Sequence, residues 1–159
     1  MSIFSQMLCV IATLGPIGRL PAPGTAGSAI AVLSGLYLMS LGPFILILSC
    51  ITCIIIGTFA SAHYTDMTGR DDPSEVIIDE VAGQWSVLIC IPYGTPNMLI
   101  WAATGFILFR FFDILKPPPV STAEVLPGGF GIMADDIVAG ALAGFSLLVL
   151  SFFSGTPFI

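Results

Sequence analysis

The feature that most constrains this chain is where its charges are. Only fourteen of 159 residues are formally charged, four basic and ten acidic. Arg19 stands alone; Asp66, Arg70, Asp71, Asp72, Glu75, Asp79 and Glu80 form one cluster. Arg110, Asp113, Lys116 and Glu124 form a second, and Asp135 and Asp136 the last. Residues 20–65, 81–109 and 137–159 carry no charge. A bilayer core of about 30 Å needs about 20 apolar residues in a helix. The first stretch has room for two spans, the others for one each.

Composition agrees. Hydrophobic residues make up 56% and charged residues 9%, against about 25% charged in an ordinary soluble domain. The mean hydropathy is +1.03. A soluble globular enzyme, a disordered chain and a collagen-like chain are excluded. The expected fold is an all-α, polytopic membrane bundle of about four transmembrane helices in a single domain, 1–159. A net charge of -6 argues against nucleic-acid binding. Cys9, Cys50, Cys53 and Cys90 sit in apolar runs and read as packed small hydrophobes. The first five residues lack a positive segment, so no cleaved signal peptide is expected.

Local signals set the helix boundaries. Residues 3–14 are apolar but too short to span, which suits an interfacial or re-entrant helix. Gly42-Pro43 divides helices at about 26–41 and 43–62, the second extending to Gly69 as its C′ residue. Asp72 as N-cap, Pro73 at N1 and Glu75 at N3 predict a third helix from 73 to Pro92. A fourth runs from Thr95-Pro96 to Lys116, stopped by Pro117, Pro118 and Pro119. A fifth starts near Asp135 and ends about Phe153. Threading these segments puts every Lys, Arg, Asp and Glu in or beside one set of loops. The opposite turns, at 42–43 and 92–96, are short and uncharged. The positive-inside rule places the charged face in the cytoplasm.

Candidate chemistry follows from what that face collects. Asp79-Glu80 lie among apolar neighbours, where unpaired carboxylates are costly. Gly83, one turn on, permits a close backbone approach. Arg110, Asp113 and Lys116 share a helix face at i, i+3, i+6. Asp113 opposes the dipole at a helix C-terminus and needs a cation. Asp135-Asp136 follow Gly128, Gly129 and Gly131, whose N–H groups could meet an anion. Pro23-Gly24-Thr25-Ala26-Gly27-Ser28 has the glycines and hydroxyls of a phosphate cradle at a helix start. His63 sits at a helix end. Clustered carboxylates with one histidine suit a hard cation such as Mg²⁺, and Arg and Lys beside it suit a phosphate-bearing substrate.

Other phosphatase chemistries fail on spacing. A Cys–x5–Arg loop is absent, since Gly15, Ile56, Phe59 and Pro96 stand six positions after the cysteines. There is no Asp-x-Asp pair and no second histidine. The rival class is a small ion-coupled transporter or channel subunit, which also uses intramembrane carboxylates. It would place them near the midplane rather than at one surface. A packing subunit using Gly140 and Gly144 would leave Asp79, Glu80 and Asp113 unexplained.

Four motifs in this order resemble the phosphatidylglycerophosphatase A family. They are Pro23–Ser28, Ile78-Asp79-Glu80-Val81-Ala82-Gly83, Arg110–Pro117 and Gly128–Gly140. The resemblance implies a bacterial inner-membrane, Mg²⁺-dependent enzyme. Its substrate would be phosphatidylglycerophosphate and its products phosphatidylglycerol and phosphate. On this reading Asp79, Glu80, Asp113, Asp135 and Asp136 hold Mg²⁺, and Glu80 is first choice for the base. Asp79, Asp113 and Asp136 complete the catalytic set. Arg110, Lys116 and Arg19 hold phosphate, helped by Gly24, Thr25, Gly27 and Ser28.

Overall fold

The structure is a computed structural model, and it describes residues 2–154. Among the described residues there are seven α-helices and no strand. They are α1 (Ile3–Thr13), α2 (Pro23–Leu41), α3 (Pro43–Thr68), α4 (Ile78–Ile89), α5 (Met98–Leu115), α6 (Val120–Glu124) and α7 (Gly129–Phe153). Residues 155–159, the end of the last uncharged stretch, lie outside the described residues.

Four helices are long and apolar enough to cross a membrane: α2, α3, α5 and α7. Four is the number expected from the uncharged stretches, and of the five helices placed by local signals the one at 73–91 is the one that is not of span length. α4 has 12 residues, a length of about 18 Å. The capping box at Asp72, Pro73 and Glu75 does not form. Instead Arg70 Nη2 donates to both carboxylate oxygens of Glu75, at 2.9 and 3.0 Å, and these hydrogen bonds hold the Glu75 carboxyl below its usual range. Val76 and Ile77 are buried, and the Ile77 N–H donates to Ala12 O at 2.9 Å. Docking this non-helical stretch against α1 delays the helix until Ile78. Asp79 and Glu80 therefore stand in the first turn of α4, where the helix dipole favours carboxylates, rather than two turns in.

α4 is the hub of the bundle. It packs chiefly on α7, α2 and α3, and eight of its residues are buried. A helix enclosed by protein need not match the bilayer thickness. Cys90, at its end, meets Gly144, nine residues short of the end of α7. The non-helical stretch 90–97 covers the remaining distance to α5. Without a hydrophobic drive between helices in lipid, small residues allow the close packing. A Cβ on Gly83 would stand 2.6 Å from Phe109 and 2.7 Å from Asp136 O. A Cβ on Gly140 would in turn stand 2.5 Å from the Gly83 carbonyl oxygen. Gly140 and Gly144 thus serve packing inside the chain, which removes the interface a packing subunit would have used.

The other boundaries mostly follow the sequence. Gly42-Pro43 breaks α2 from α3, and Gly69 caps α3 at φ +66 with its N–H on Thr65 O. Two starts differ. α2 begins at Pro23, so Gly24 and Thr25 occupy its first turn rather than a preceding loop. α7 begins at Gly129, not Asp135, because Gly129 packs against the Thr58 carbonyl and Gly131 against that of Leu126. Asp135 and Asp136 are therefore not caps. The Gly131 N–H is engaged by Gly128 O. α1 packs on α3, with Ser5 Oγ 2.8 Å from His63 Nε2. The four cysteines are free thiols; Cys50 and Cys53 point at the carbonyls of Ala82 and Ile78.

Candidate active site

One end of the bundle holds a cleft of about 840 Å³. Its walls are the first turn of α2, the start of α4, the end of α5, the second turn of α7, and the 71–76 and 124–128 loops. Five of the expected carboxylates, Asp79, Glu80, Asp113, Asp135 and Asp136, line it together with Arg110, Lys116, Gly24 and Thr25. Residues up to 112 positions apart in sequence (24 and 136) meet because α2, α4 and α7 start at this end, where α5 finishes.

The carboxylates divide into two kinds. Asp113 Oδ2 lies 2.5 Å from Arg110 Nη1, and Asp135 Oδ2 lies 2.8 Å from Lys116 Nζ. Lys116 also reaches Glu124 at 2.6 Å. These two aspartates have their cations. Asp79, Glu80 and Asp136 form the other group, with one oxygen from each lying within 4.8 Å of the others. Arg110 Nη1 is 3.8 Å from Glu80 Oε1. Glu80 Oε2 and Asp136 Oδ2 are buried and have no hydrogen-bond partner. Three oxygen donors with two orphaned atoms fit a hard divalent cation. The five-carboxylate set expected from the sequence thus separates into three candidate ligands and two cation-paired residues.

Arg110 is held through one nitrogen, Nη1, while its buried Nε has no hydrogen-bond partner. Its Nη1 donates to Ser28 Oγ at 3.3 Å, and Ser28 Oγ donates to Gly24 O at 2.8 Å. Gly24 leaves room for this cluster: a Cβ there would run into Glu80 Oε1 and approach both Arg110 Nη atoms at 3.2 Å. Ser28 is fully buried and does not line the cleft; it braces the guanidinium instead. Gly27 faces Ile77, and its closest approach is to that side chain. Arg19 is exposed and outside the cleft lining, in the neighbourhood of Glu75. His63 is tied to Ser5, away from the cleft.

One residue was not singled out from sequence. Gln84 lies one turn beyond Glu80 on α4, fully buried, with both amide atoms unpartnered. Its signal was its being a long polar side chain in an uncharged stretch.

Fold and site together define an integral-membrane helical bundle with an acidic, cation-braced cleft at one end. The profile of the family described as "PgpA: Phosphatidylglycerophosphatase A" matches residues 10–151. The chain belongs to this family, which is one of phosphatases. A Haemophilus influenzae phosphatidylglycerophosphatase A is 39% identical over 125 residues, 77% of this chain and 75% of that protein. The Escherichia coli phosphatidylglycerophosphatase A is 37% identical over 123 residues, 76% of this chain and 69% of that protein. A Bacteroides thetaiotaomicron protein, provisionally named a phosphatidylinositol-3-phosphatase, is 37% identical over 123 residues, 75% of this chain and 77% of that one. No solved structure matches the chain.

Proposed function

We propose that this chain is a Mg²⁺-dependent phosphatase that hydrolyses phosphatidylglycerophosphate to phosphatidylglycerol and inorganic phosphate. It works at the cytoplasmic face of a bacterial inner membrane. The observation that carries the reading is the cluster of Asp79, Glu80 and Asp136, with its orphaned oxygens, beside Arg110 in one cleft. Two of the three relatives above carry that activity in their names. All four basic residues fall at the cleft end or in the loops beside it, which supports the orientation.

Asp79, Asp136 and one oxygen of Glu80 would hold Mg²⁺. When bound, the ion supplies Lewis-acid polarisation of the phosphoryl oxygens and a lowered water pKa. The chain's own groups do the rest. Arg110 presents its planar fork to the phosphate oxygens, with Asp113 and Ser28 fixing its plane. Lys116, held by Asp135 and Glu124, adds a second positive charge. The free N–H groups at the start of α2, around Gly24 and Thr25, face the same anion. Water adds its oxygen to phosphorus and gives its proton to the Glu80 oxygen that does not hold the ion. The phosphorus–oxygen bond to the lipid glycerol breaks, and that oxygen takes up a proton from solvent at the cleft mouth.

Purified protein is tested for phosphate release from phosphatidylglycerophosphate and from phosphatidylinositol 3-phosphate, first with Mg²⁺ and then with EDTA. Release from the first lipid that EDTA abolishes and Mg²⁺ restores is the expected result. Full activity in EDTA removes the metal. Release from the inositol lipid alone reassigns the substrate.

A further inference from the structure

The rim of the cleft is chemically uneven. Ile114, at the end of α5, is 66% exposed; Val125 and Leu126, in the segment between α6 and α7, are 82% and 50% exposed. All three line the cleft. Val125 and Leu126 belong to no span-length helix, so the lipid-facing belt of the bundle does not explain them. They lie on the charged end of the chain, next to Glu124 and Lys116. A second part of the rim, from the loop before α4, is polar: Asp71, Asp72 and Ser74 line the cleft and are exposed.

We propose that Ile114, Val125 and Leu126 form the lip over which the acyl chains of the lipid substrate leave the cleft for the bilayer. The assignment rests on the lipid-phosphate reading above. A lipid phosphate bound at Arg110 must send its chains out by one side. The Asp71–Asp72 side disfavours that path, because carboxylates repel the lipid's remaining phosphodiester and the anionic bilayer surface. The Ile114–Val125–Leu126 side offers apolar contact continuous with the cleft, with Lys116 beside it to meet the diester. Burial of apolar chain carbons against these side chains adds affinity for long chains only.

The test compares Val125→Asp and Leu126→Asp with wild type on two substrates. One is a dioleoyl lipid phosphate in vesicles; the other is its water-soluble, short-chain analogue. The ratio of kcat/KM for the long-chain over the short-chain substrate should fall by about tenfold or more. The conservative variants Val125→Ile and Leu126→Met should keep the wild-type ratio. A second readout needs no turnover: in Leu126→Trp, brominated acyl chains should quench fluorescence beyond the quenching seen in wild type. An unchanged ratio in both Asp variants overturns the lip while leaving the phosphatase reading intact, and so does absence of extra quenching. If wild type releases phosphate from neither substrate, the phosphatase reading fails and the lip falls with it.

Discussion

The carboxylate cluster predicts an inverted stability order for Asp136→Asn. Oxygens of Asp79, Glu80 and Asp136 lie within 4.8 Å of one another. At an effective dielectric of about 20, a pair of full charges at that distance costs about 3.5 kcal/mol, and more if closer. Asp136 belongs to two such pairs, so its repulsion within the cluster, with every charge present, is about 7 kcal/mol or more. Proton uptake within the cluster relieves much of this, leaving an expected gain of about 1–2 kcal/mol when the charge is removed. Asp136 Oδ2 has no partner, so the amide breaks no hydrogen bond at that oxygen. In a chain of this size each kcal/mol moves Tm by about 2–4 °C. The assay is thermal unfolding in detergent, in EDTA and then in saturating Mg²⁺. In EDTA, Asp136→Asn should unfold several degrees above wild type. In Mg²⁺ wild type should rise, by about 2.7 kcal/mol at a hundredfold excess over Kd, and the variant should move little. A variant that unfolds below wild type in EDTA would show that Asp136 is already satisfied, and the repulsive-cluster argument would be refuted.

Gly24→Ala puts a methyl group into Glu80 Oε1 and against Arg110; kcat should fall on the order of 10²-fold while the unfolding temperature shifts little, and near-normal kcat would show that the two side chains yield freely. Arg110 spends Nη1 on Asp113 and Ser28, and a lysine there would have no second planar nitrogen left to offer a phosphate, so a fully active Arg110→Lys variant would reduce Arg110 to a helix-end charge. Gln84→Leu removes a buried amide with no partner, so it should leave Tm equal or higher; a drop of several degrees would reveal a partner such as buried water. Single cysteines on a cysteine-free background, Arg70→Cys and Glu124→Cys, should label from one side of the membrane and Gly94→Cys from the other. Labelling of 70 and 124 from opposite sides would split the cleft and end the single-site reading.

The sequence was most legible where a single physical rule acts alone. Long uncharged stretches, Gly42-Pro43 and the Pro117–Pro119 stop are local signals, and they mark the span-length helices within a few residues. The helix starts at 73 and 135 were misread because competing tertiary contacts are invisible in one dimension. Pro73 and Glu75 look like a helix start, but Ile77 is needed against Ala12 and Gly27, and Glu75 answers Arg70. Asp135 looks like a cap, but Gly129 and Gly131 let α7 begin six residues earlier against α3 and the preceding turn. Within the site, the residue types were readable and their division of labour was not. That Asp113 and Asp135 answer cations while Asp79, Glu80 and Asp136 face one another depends on which helix ends meet.

Depth separates the phosphatase reading from an ion-coupled transporter. Transporter sites sit near the bilayer midplane, where broken helices expose backbone to the ion. Here α2, α5 and α7 contribute from their ends: Gly24 is the second residue of α2, and Arg110 and Asp113 lie in the last six of α5. Asp136 is the eighth of 25 residues in α7, about 10 Å from its start. The short α4 explains how such a shallow site can still bury its carboxylates. Because α4 begins late, its first turn is drawn inside the ring of longer helices, and Asp79 and Asp136 are buried although the cleft opens at one end. Beyond them the axis is filled by Phe109, Val87, Leu88 and Leu147, all fully buried, so the cleft has a floor where a transporter needs a path. That arrangement suits a reaction on a head group reached from one surface, with the carboxylates desolvated enough for their charges to act strongly on a phosphoryl group.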